Sequence, residues 1–242
     1  AGLSRLGFQG GRVLDPAVGT GHFIGMAPAA LREAMRFTTV EIDPLTAAIT
    51  GTLYPEERVR ETAFQDFAIN PASFDAAVGN PPFGTLVPFD ALNKDLRGFT
   101  IHNYFVAKSI RSLARGGLLA MVVTRNLMDK PHSKERRWMT ERARLLGAIR
   151  LPNTTFAGEA GTSVTCDVLF LQKLDANEVG NAQDWLDLAR VPDANGGEDI
   201  RVNAYFVANP HMMLGTMQRE SGQFASDEPT LAPREGLDLA SA

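Results

Sequence analysis

The sequence Asn80-Pro81-Pro82-Phe83 places two hydrogen-bond acceptors and an aromatic ring directly after an apolar run. Two consecutive prolines fix the backbone and remove two N–H donors, and the residue before each proline is pushed towards an extended conformation. The side-chain carbonyl of Asn80 and the backbone carbonyl of Pro81 can therefore accept both hydrogens of one –NH2 group, while Phe83 stacks on the ring that bears it. This stretch therefore predicts a binding site for a planar amine. The alternative is a stiff loop without a ligand.

A second candidate is the turn "DPAVGTG" at residues 15–21, which stands between an apolar strand and a helix. Glycines at positions 19 and 21 let a ligand approach the backbone, and a helix N-terminus favours a negative group. Asp15 adds a carboxylate that can hold an ammonium. Taken alone, the turn is equally compatible with a tight strand-to-helix connection that binds nothing.

Two more acids end the next two predicted strands. The carboxylate of Glu41 has two acceptor oxygens, which suit the two hydroxyls of a ribose. Asp43 competes for that role, although it more simply begins the following helix. Asp66 can accept a hydrogen bond from an exocyclic amine, or it can be an ordinary cap. With a cation site at Asp15, these acids fit S-adenosylmethionine better than NAD.

The elements that must position these residues alternate along the chain. Strands are predicted over 12–17, 37–43, 59–64, 73–80, 118–124, 147–152 and 163–173, and helices over 21–35 (broken near Pro28), 44–54, 101–115 and 134–146. This alternation predicts an α/β fold with a doubly wound, mostly parallel sheet, in which ligands bind at the carboxyl ends of the strands. The pattern weakens after Lys173. We therefore predict a core domain over 1–174 and an irregular, partly disordered extension over 175–242.

Composition narrows the classes of function. Of the 242 residues, 44% are hydrophobic and 21% are charged, which is an ordinary globular mixture. No apolar run reaches the length of a membrane span and no signal peptide is visible, so a cytoplasmic protein is expected. The single cysteine, Cys166, excludes an internal disulfide framework and suits a reducing compartment.

Charge is unevenly distributed. The net charge of −4, taken alone, argues against nucleic acid as a partner. Residues 125–150, however, are strongly basic, and a loop there would follow the apolar strand 118–124 at the carboxyl edge of the sheet. The predicted contacts with DNA phosphates are Lys130, Lys134, Arg136 and Arg137. The alternative is a solvated helix face.

The motifs "DPAVGTGHF", "VEID", "QDF" and "NPPF", in this order after successive strands, resemble those of the amino-methylating DNA methyltransferases of the adenine-N6 type. The order, with the glycine motif before NPPF, matches the gamma class. Further stretches, among them "IHNYFVAKSI" and "VNAYFVANPHMMLGT", are similar to the methylase part of large phage- and plasmid-borne methyltransferase–helicase fusion proteins. The resemblance covers residues 6–217.

The resemblance implies a Rossmann-like, S-adenosylmethionine-dependent fold with an antiparallel strand near the end of the core. It also implies a restriction-modification setting, methyl transfer to N6 of an adenine flipped out of DNA, and a helicase domain in the same longer polypeptide. No metal is expected. By carry-over, the catalytic residues are Asn80, Pro81, Pro82 and Phe83. The cofactor-binding residues are Asp15, Pro16, Ala17, Gly19, Gly21, Phe23, Glu41, Ile42, Asp66, Phe67 and Asn80.

The sequence departs from the family pattern in two respects, and two other functions are compatible with its motifs. The chain begins without Met, a short way before the glycine motif, so we expect a fragment that lacks the family's upstream cofactor motif. No segment is large enough for a typical target-recognition domain. An RNA or protein-glutamine methyltransferase needs the same grip on a planar amine. A non-catalytic module that binds cofactor or DNA is the remaining alternative.

Overall fold

The fold is described here from a computed structural model, which covers residues 2–156, 164–175, 177–178, 183–220, 227–234 and 236. At its centre is a seven-stranded sheet. The strands are β1 Gly11–Asp15, β2 Met35–Glu41, β3 Arg58–Glu61, β4 Phe74–Gly79, β5 Leu113–Thr124, β6 Ala143–Leu151 and β7 Cys166–Lys173. They lie in the order β3-β2-β1-β4-β5-β7-β6.

Five of these strands are parallel neighbours, and β7 runs antiparallel between β5 and β6. The sheet therefore confirms the predicted doubly wound fold, including the antiparallel strand near the end of the core. The direction of winding reverses between β1 and β4. In sheets of this kind, the ligand crevice opens at that reversal, outside the carboxyl ends of the two strands.

The helices that flank the sheet are short. They are α1 Gly2–Arg5, α2 His22–Gly25, α3 Ala29–Arg32, α4 Pro44–Leu53, α5 Ile101–Ser112, α6 Asn126–Asp129, α7 Lys134–Thr140, Gln183–Leu186 and Ala204–Ala208, with 3-10 turns at Lys94–Leu96 and Pro210–Met212. The break predicted near Pro28 separates α2 from α3 as expected. Among the residues described, no helix has the length and apolar character needed to cross a bilayer.

Two helix ends differ from the prediction. The helix predicted over 134–146 stops at Thr140, because the backbone from Ala143 onwards pairs with β7 as a sheet edge. The helix predicted over 101–115 stops at Ser112, and β5 begins at once, with the two glycines inside the strand. In both places long-range strand pairing overrides local helix propensity.

The core lies on both faces of the sheet. Its main cluster packs α5 against β4 and β5, with Tyr104, Val106 and Ile110 fully buried. A smaller cluster packs α1 to α3 against the opposite face, around Val13 and Phe37. The loops that follow the carboxyl ends of the strands lie beyond these two layers, where a parallel sheet binds its ligands.

The residues after 174 correct the prediction of an irregular extension. Two small antiparallel sheets form there, from β8 Leu188–Val191 with β9 Ile200–Asn203, and from β10 Gly215–Glu220 with β11 Glu228–Pro233. Trp185 and Phe206 are fully buried in the main core cluster. Strands of four to six residues with polar outer faces give a weak sequence signal. The disorder predicted for the end of the chain falls largely on 221–226, 235 and 237–242, outside the described residues, and the boundary near 174 stays a prediction.

A buried cluster of ion pairs connects the loop after β5 to β6 and β7. The buried guanidinium of Arg150, on β6, donates to both carboxylate oxygens of Asp129 at 2.8 and 2.9 Å and to Asp167 at 2.8 and 2.9 Å. Asp129 also accepts from the backbone N–H of Asn203 at 2.8 Å. The chain that leaves the carboxyl end of β5 is therefore held in place by charge-assisted hydrogen bonds.

Candidate active site

The glycine turn and the NPPF stretch meet where the sheet reverses. β1 and β4 are hydrogen-bonded neighbours, with Leu14 opposite Ala77. At the end of β4, Gly79 stands so close to the turn that a Cβ atom would lie 3.2 Å from Cδ of Pro16 and 3.3 Å from Oδ1 of Asp15. The absence of a side chain at Gly79 therefore lets the two motifs come into contact, and the sequence analysis overlooked this residue.

The glycine turn has backbone angles that favour glycine. Gly19 has φ of 54° and Gly21 has φ of 85°, both in the left-handed region. A Cβ on Gly21 would lie 2.4 Å from the ring of Tyr54, which is the residue that follows α4. The turn is thus fixed both by its own angles and by a ring packed under it.

Glu41 is held rigidly at the end of β2. Its Oε2 accepts from the backbone N–H of Gly19 at 3.0 Å, and its Oε1 accepts from the N–H of Asp43 at 2.9 Å. A carboxylate has about four lone-pair sites, so each oxygen can still accept one hydroxyl. Asp43 instead caps α4 by accepting from the backbone N–H of Thr46 at 2.7 Å, and this hydrogen bond lowers the pKa of Asp43. The structure thus favours Glu41 over Asp43 for the predicted diol contact.

Asp15 is a buried carboxylate with an unused acceptor. Its Oδ1 accepts from the N–H of Ala17 at 3.2 Å, and its Oδ2 has no hydrogen-bond partner in the described part of the chain. Burial raises the pKa of Asp15 to about 7, the hydrogen bond from Ala17 opposes the rise, and the negative Glu41 adds to it. A cation brought to this carboxylate would stabilise its ionised form. The arrangement therefore fits an ammonium or a sulfonium nearby.

The NPPF stretch presents its polar and aromatic groups outward. Pro81 is buried, whereas Asn80, Pro82 and Phe83 are exposed. The ring of Phe83 is 39% exposed and meets the ring of His102 edge-on, at 6.4 Å between centroids. The Asn80 amide and the Phe83 ring are therefore accessible to a ligand.

A buried network fixes the loop that follows Phe83. Asp90 accepts from the phenol of Tyr104 at 2.6 Å, from Nζ of Lys108 at 3.0 Å, and from Asn93. Lys108 also donates to the backbone carbonyls of Phe64 and Gln65, at 2.6 and 3.2 Å. Burial disfavours the Asp90 carboxylate, but these hydrogen bonds outweigh it and hold its pKa below the usual range. The NPPF loop and the turn before Asp66 are therefore tied to one helix, α5.

The other residues that were predicted to bind the cofactor differ in solvent exposure and in position. Ile42 is 69% exposed after β2, as a contact with a ligand would require. Asp66 is also exposed. Phe23 lines an apolar groove with Met26. Phe67 packs against the main core and lines a cleft near Arg12, where the strands begin. The described contacts do not bring Phe67 to the glycine turn.

Comparison with known proteins shows which family this arrangement resembles. Residues 39–156, which include Glu41, Asp66 and the NPPF stretch, match the family described as Eco57I restriction-modification methylase. The resemblance predicted from the sequence is thereby confirmed for this segment, which is just under half of the chain.

Curated relatives of the chain include one phage and one bacterial protein. The chain is 30% identical over 167 residues to "Defense against restriction protein B" of Escherichia phage P1, covering 67% of this chain and 7% of that protein. It is 31% identical over 134 residues to "Type II methyltransferase M.TthHB8I" of Thermus thermophilus, covering 48% of this chain and 29% of that protein. The chain thus spans only a small part of either relative.

The fold of the chain recurs in solved structures. A protein of Listeria monocytogenes, assigned to the class I S-adenosylmethionine-dependent methyltransferases, superposes with a TM-score of 0.56 at 17% identity. The match covers 72% of this chain and 56% of the other. This similarity confirms the predicted Rossmann-like fold. The roles of the individual residues remain predictions.

One of the predicted DNA contacts is wrong. Arg136 is only 1% exposed, because its guanidinium turns inward and donates to the backbone carbonyls of Leu127, Lys130 and Leu186, at 2.9, 3.0 and 3.0 Å. Lys130, Lys134 and Arg137 are exposed. Those three stay candidates for phosphate contact, while Arg136 is structural.

His102 lies beside the NPPF stretch and was not predicted from the sequence as a site residue. It lies within the first turn of α5, and its Nε2 is 3.2 Å from the hydroxyl of Thr124 at the end of β5. Burial lowers the pKa of His102 to about 4, an effect that Glu135 opposes and Lys130 adds to. In the sequence, the histidine of "IHNYF" stands close to aromatic residues, and this was the signal that could have marked it as a site residue. The imidazole facing Phe83 is therefore neutral at neutral pH.

This pKa predicts an acid-sensitive fold. An unfolded histidine has a pKa of about 6.5, so the unfolded chain binds more protons between pH 6.5 and 4. The contribution of neutral His102 to stability is then fully present above pH 6.5 and is lost as the pH falls through that window. We expect the His102 ring resonance to titrate near pH 4 in an NMR titration, and urea unfolding to show a smaller acid loss in His102→Gln. A ring midpoint near 6.5 would contradict this.

Proposed function

We propose that this domain transfers the methyl group of S-adenosylmethionine to the exocyclic N6 of an adenine in DNA. The observation that carries the proposal is the close packing of Gly79, the residue directly before Asn80, against Asp15 and Pro16 of the glycine turn. A group held at one motif therefore lies next to a group held at the other.

The residues present fit the cofactor. Asp15 offers a buried carboxylate oxygen without a partner, which suits the positive end of the molecule. Glu41 is fixed by two backbone N–H groups in a position to accept the ribose hydroxyls. The exposed Ile42 lies beside the expected position of the adenine ring, with Asp66 as acceptor for its amine. When bound, S-adenosylmethionine supplies an electrophilic methyl group.

Asn80 and Pro81 have the task of orienting the nucleophile. Their two carbonyl oxygens accept the two hydrogens of the target amine, which directs the nitrogen lone pair along the line towards the glycine turn. Because nitrogen can release its proton to water after attack, no residue has to act as general base. Phe83 stacks on the base and helps exclude water. A base inside a duplex has to be flipped out to reach this position.

We also propose that the domain acts on DNA as part of a longer cytoplasmic protein. Support comes from the restriction-modification family match and from the small share of each curated relative that the chain spans. A helicase domain in the same polypeptide is proposed on the resemblance alone.

The choice of acceptor can be tested directly. The protein is incubated with labelled S-adenosylmethionine and, in separate reactions, with mixed-sequence duplex DNA, transcribed RNA and a release-factor protein. We expect label in the DNA and none above background in the other two acceptors. Label in RNA or protein, with none in DNA, would replace the proposed substrate. Cofactor binding without label in any acceptor would favour a non-catalytic module.

Glu41 gives a prediction for the cofactor half of the site. Glu41→Ala removes charge-assisted hydrogen bonds to the ribose, so S-adenosylmethionine binding should weaken by about 2 kcal/mol or more. Isothermal titration measures the affinity, and thermal unfolding checks that the turn at Gly19 survives. Glu33→Ala, which removes an exposed acid after α3, is the control and should bind normally. Equal affinity in both variants would assign the diol to another acid.

A further inference from the structure

A basic cleft of about 430 Å³ opens between the loop after β5 and the small sheet β8–β9. Its basic lining residues are Arg125, Lys130, Arg190, Arg201 and Arg219. Three of the five arginines and lysines, at positions 190, 201 and 219, belong to the segment after residue 174, where the sequence suggested no function. The cleft thus joins that segment to the carboxyl edge of the central sheet.

The centre of the cleft is an unfavourable pair of like charges. Arg190 and Arg201 are directly opposite each other in the antiparallel pair β8–β9, and both are exposed. Like charges in directly opposed positions destabilise a sheet. The neighbouring positions Ile200 and Val202 are buried, so the alternation of the strand fixes both guanidinium groups on the outer face.

Nearby acids do not neutralise this pair. In the part of the chain that the structure describes, neither arginine has a carboxylate within salt-bridge distance, and Arg190 donates only to the backbone carbonyl of Asp199, at 3.3 Å. Asp129 lines the cleft, but both its oxygens already bind Arg150. Glu198 and Asp199 are the other acids of the cleft. The other basic residues of the cleft are ion-paired, Arg125 with Glu228, Lys130 with Glu135 and Arg219 with Asp227. The positive charge that an anion would stabilise is therefore that of Arg190 and Arg201.

The location of the cleft indicates which kind of anion it binds. Arg125 and Lys130 follow β5, whose residue Met121 is paired with Gly79 at the end of β4, directly before Asn80. A duplex that delivers a base to Asn80 must lay its backbone along this same edge of the sheet. Guanidinium groups bind phosphate oxygens with two parallel hydrogen bonds, and opposed residues in antiparallel strands are about 5 Å apart, close enough to share one phosphate or two adjacent ones.

We propose that this cleft binds the phosphodiester backbone of the DNA substrate, with Arg190 and Arg201 as its central contacts. The inference rests on the proposed function and adds a second contact region to it. The small sheet β8–β9 then serves as a positioning element for DNA. Since phosphate contacts carry no sequence information, the cleft would hold duplexes of any sequence.

The test uses the whole chain and compares two double variants by fluorescence anisotropy with short labelled duplexes over a series of salt concentrations. Arg190→Gln with Arg201→Gln should weaken binding roughly tenfold for unrelated sequences alike, and lower the slope of log affinity against log salt by about 1 for each arginine. Affinity for S-adenosylmethionine should not change. Arg58→Gln with Arg60→Gln, which alters two exposed arginines of β3, is the matched control and should keep the wild-type slope.

Thermal unfolding distinguishes a role of Arg190 and Arg201 in DNA binding from a role in stabilising the fold. Because the variant removes a like-charge pair, its melting temperature should equal or exceed that of the wild type; a lower one, with binding lost, would overturn the inference. A wild-type salt slope in the Arg190/Arg201 variant would also overturn it. The two proposals fail separately: a reduced slope supports the cleft even where no methyl transfer to DNA is seen, and an unchanged slope in a protein that methylates DNA defeats the cleft alone.

Discussion

Asn80→Ala should reduce methyl transfer by about 100-fold or more while leaving the affinity for S-adenosylmethionine nearly unchanged. The side chain is exposed at the end of β4 and stands next to a buried proline, so its removal leaves the turn itself intact. What is lost is one positioned acceptor for the target amine, and losses of this kind cost on the order of 100-fold in rate. Single-turnover methylation of a duplex measures the rate, and isothermal titration measures the cofactor affinity.

Asn70→Ala is the matched control for this experiment. Asn70 is an exposed asparagine that lines the cleft near Arg12, where the strands begin, and its replacement should leave the rate unchanged. If Asn80→Ala keeps activity within a few fold of wild type, Asn80 does not orient the nucleophile. If it loses cofactor affinity in proportion to rate, its contribution is to the cofactor.

Asp90→Ala should destabilise the fold by roughly 3–5 kcal/mol. Asp90 and Lys108 are both almost fully buried, so the substitution leaves an ammonium without its counter-ion, and breaking one side of a buried pair has a cost of this size. Tyr104 and Asn93 lose their acceptor as well. Urea unfolding with linear extrapolation gives the free energy of unfolding.

Glu141→Ala supplies the comparison for Asp90. It removes one side of the exposed pair of Glu141 with Arg142, and such a pair contributes about 1 kcal/mol or less. A loss in Asp90→Ala as small as that of Glu141→Ala would show that the network does not hold the NPPF loop. If Asp90→Ala remains folded, its activity should also fall, because the loop that carries Phe83 loses its tie to α5.

Local sequence was enough to predict the elements that carry the site. The motif around Asp15, the acid at Glu41 and the turn at Asn80 each follow a short apolar run, and such runs bounded by turn residues are typical of buried strands. Because the carboxyl ends of parallel strands meet at one edge, the order of the motifs then placed them together. The strand order, in which β1 lies beside both β2 and β4, agrees with that expectation.

The parts that could not be predicted depend on residues far apart in the sequence. Arg136 is buried because it donates to the carbonyl of Leu186, 50 residues further on, and a basic helix sequence gives no sign of that partner. Asp90 meets Lys108 across 18 residues, and Lys108 reaches the carbonyl of Phe64 across 44. The opposed pair Arg190 and Arg201 becomes visible only once strand register is known.

The most direct test of the account is to identify the atom that receives the methyl group. Mixed-sequence duplex DNA is incubated with the wild-type protein and labelled S-adenosylmethionine, digested to nucleosides, and separated by chromatography with mass detection. The grip of Asn80 and Pro81 on a planar amine predicts N6-methyladenine as the labelled product, and predicts its loss in Asn80→Ala. Label on any atom other than an exocyclic amine, or equal N6-methyladenine from the wild type and Asn80→Ala, would contradict the account.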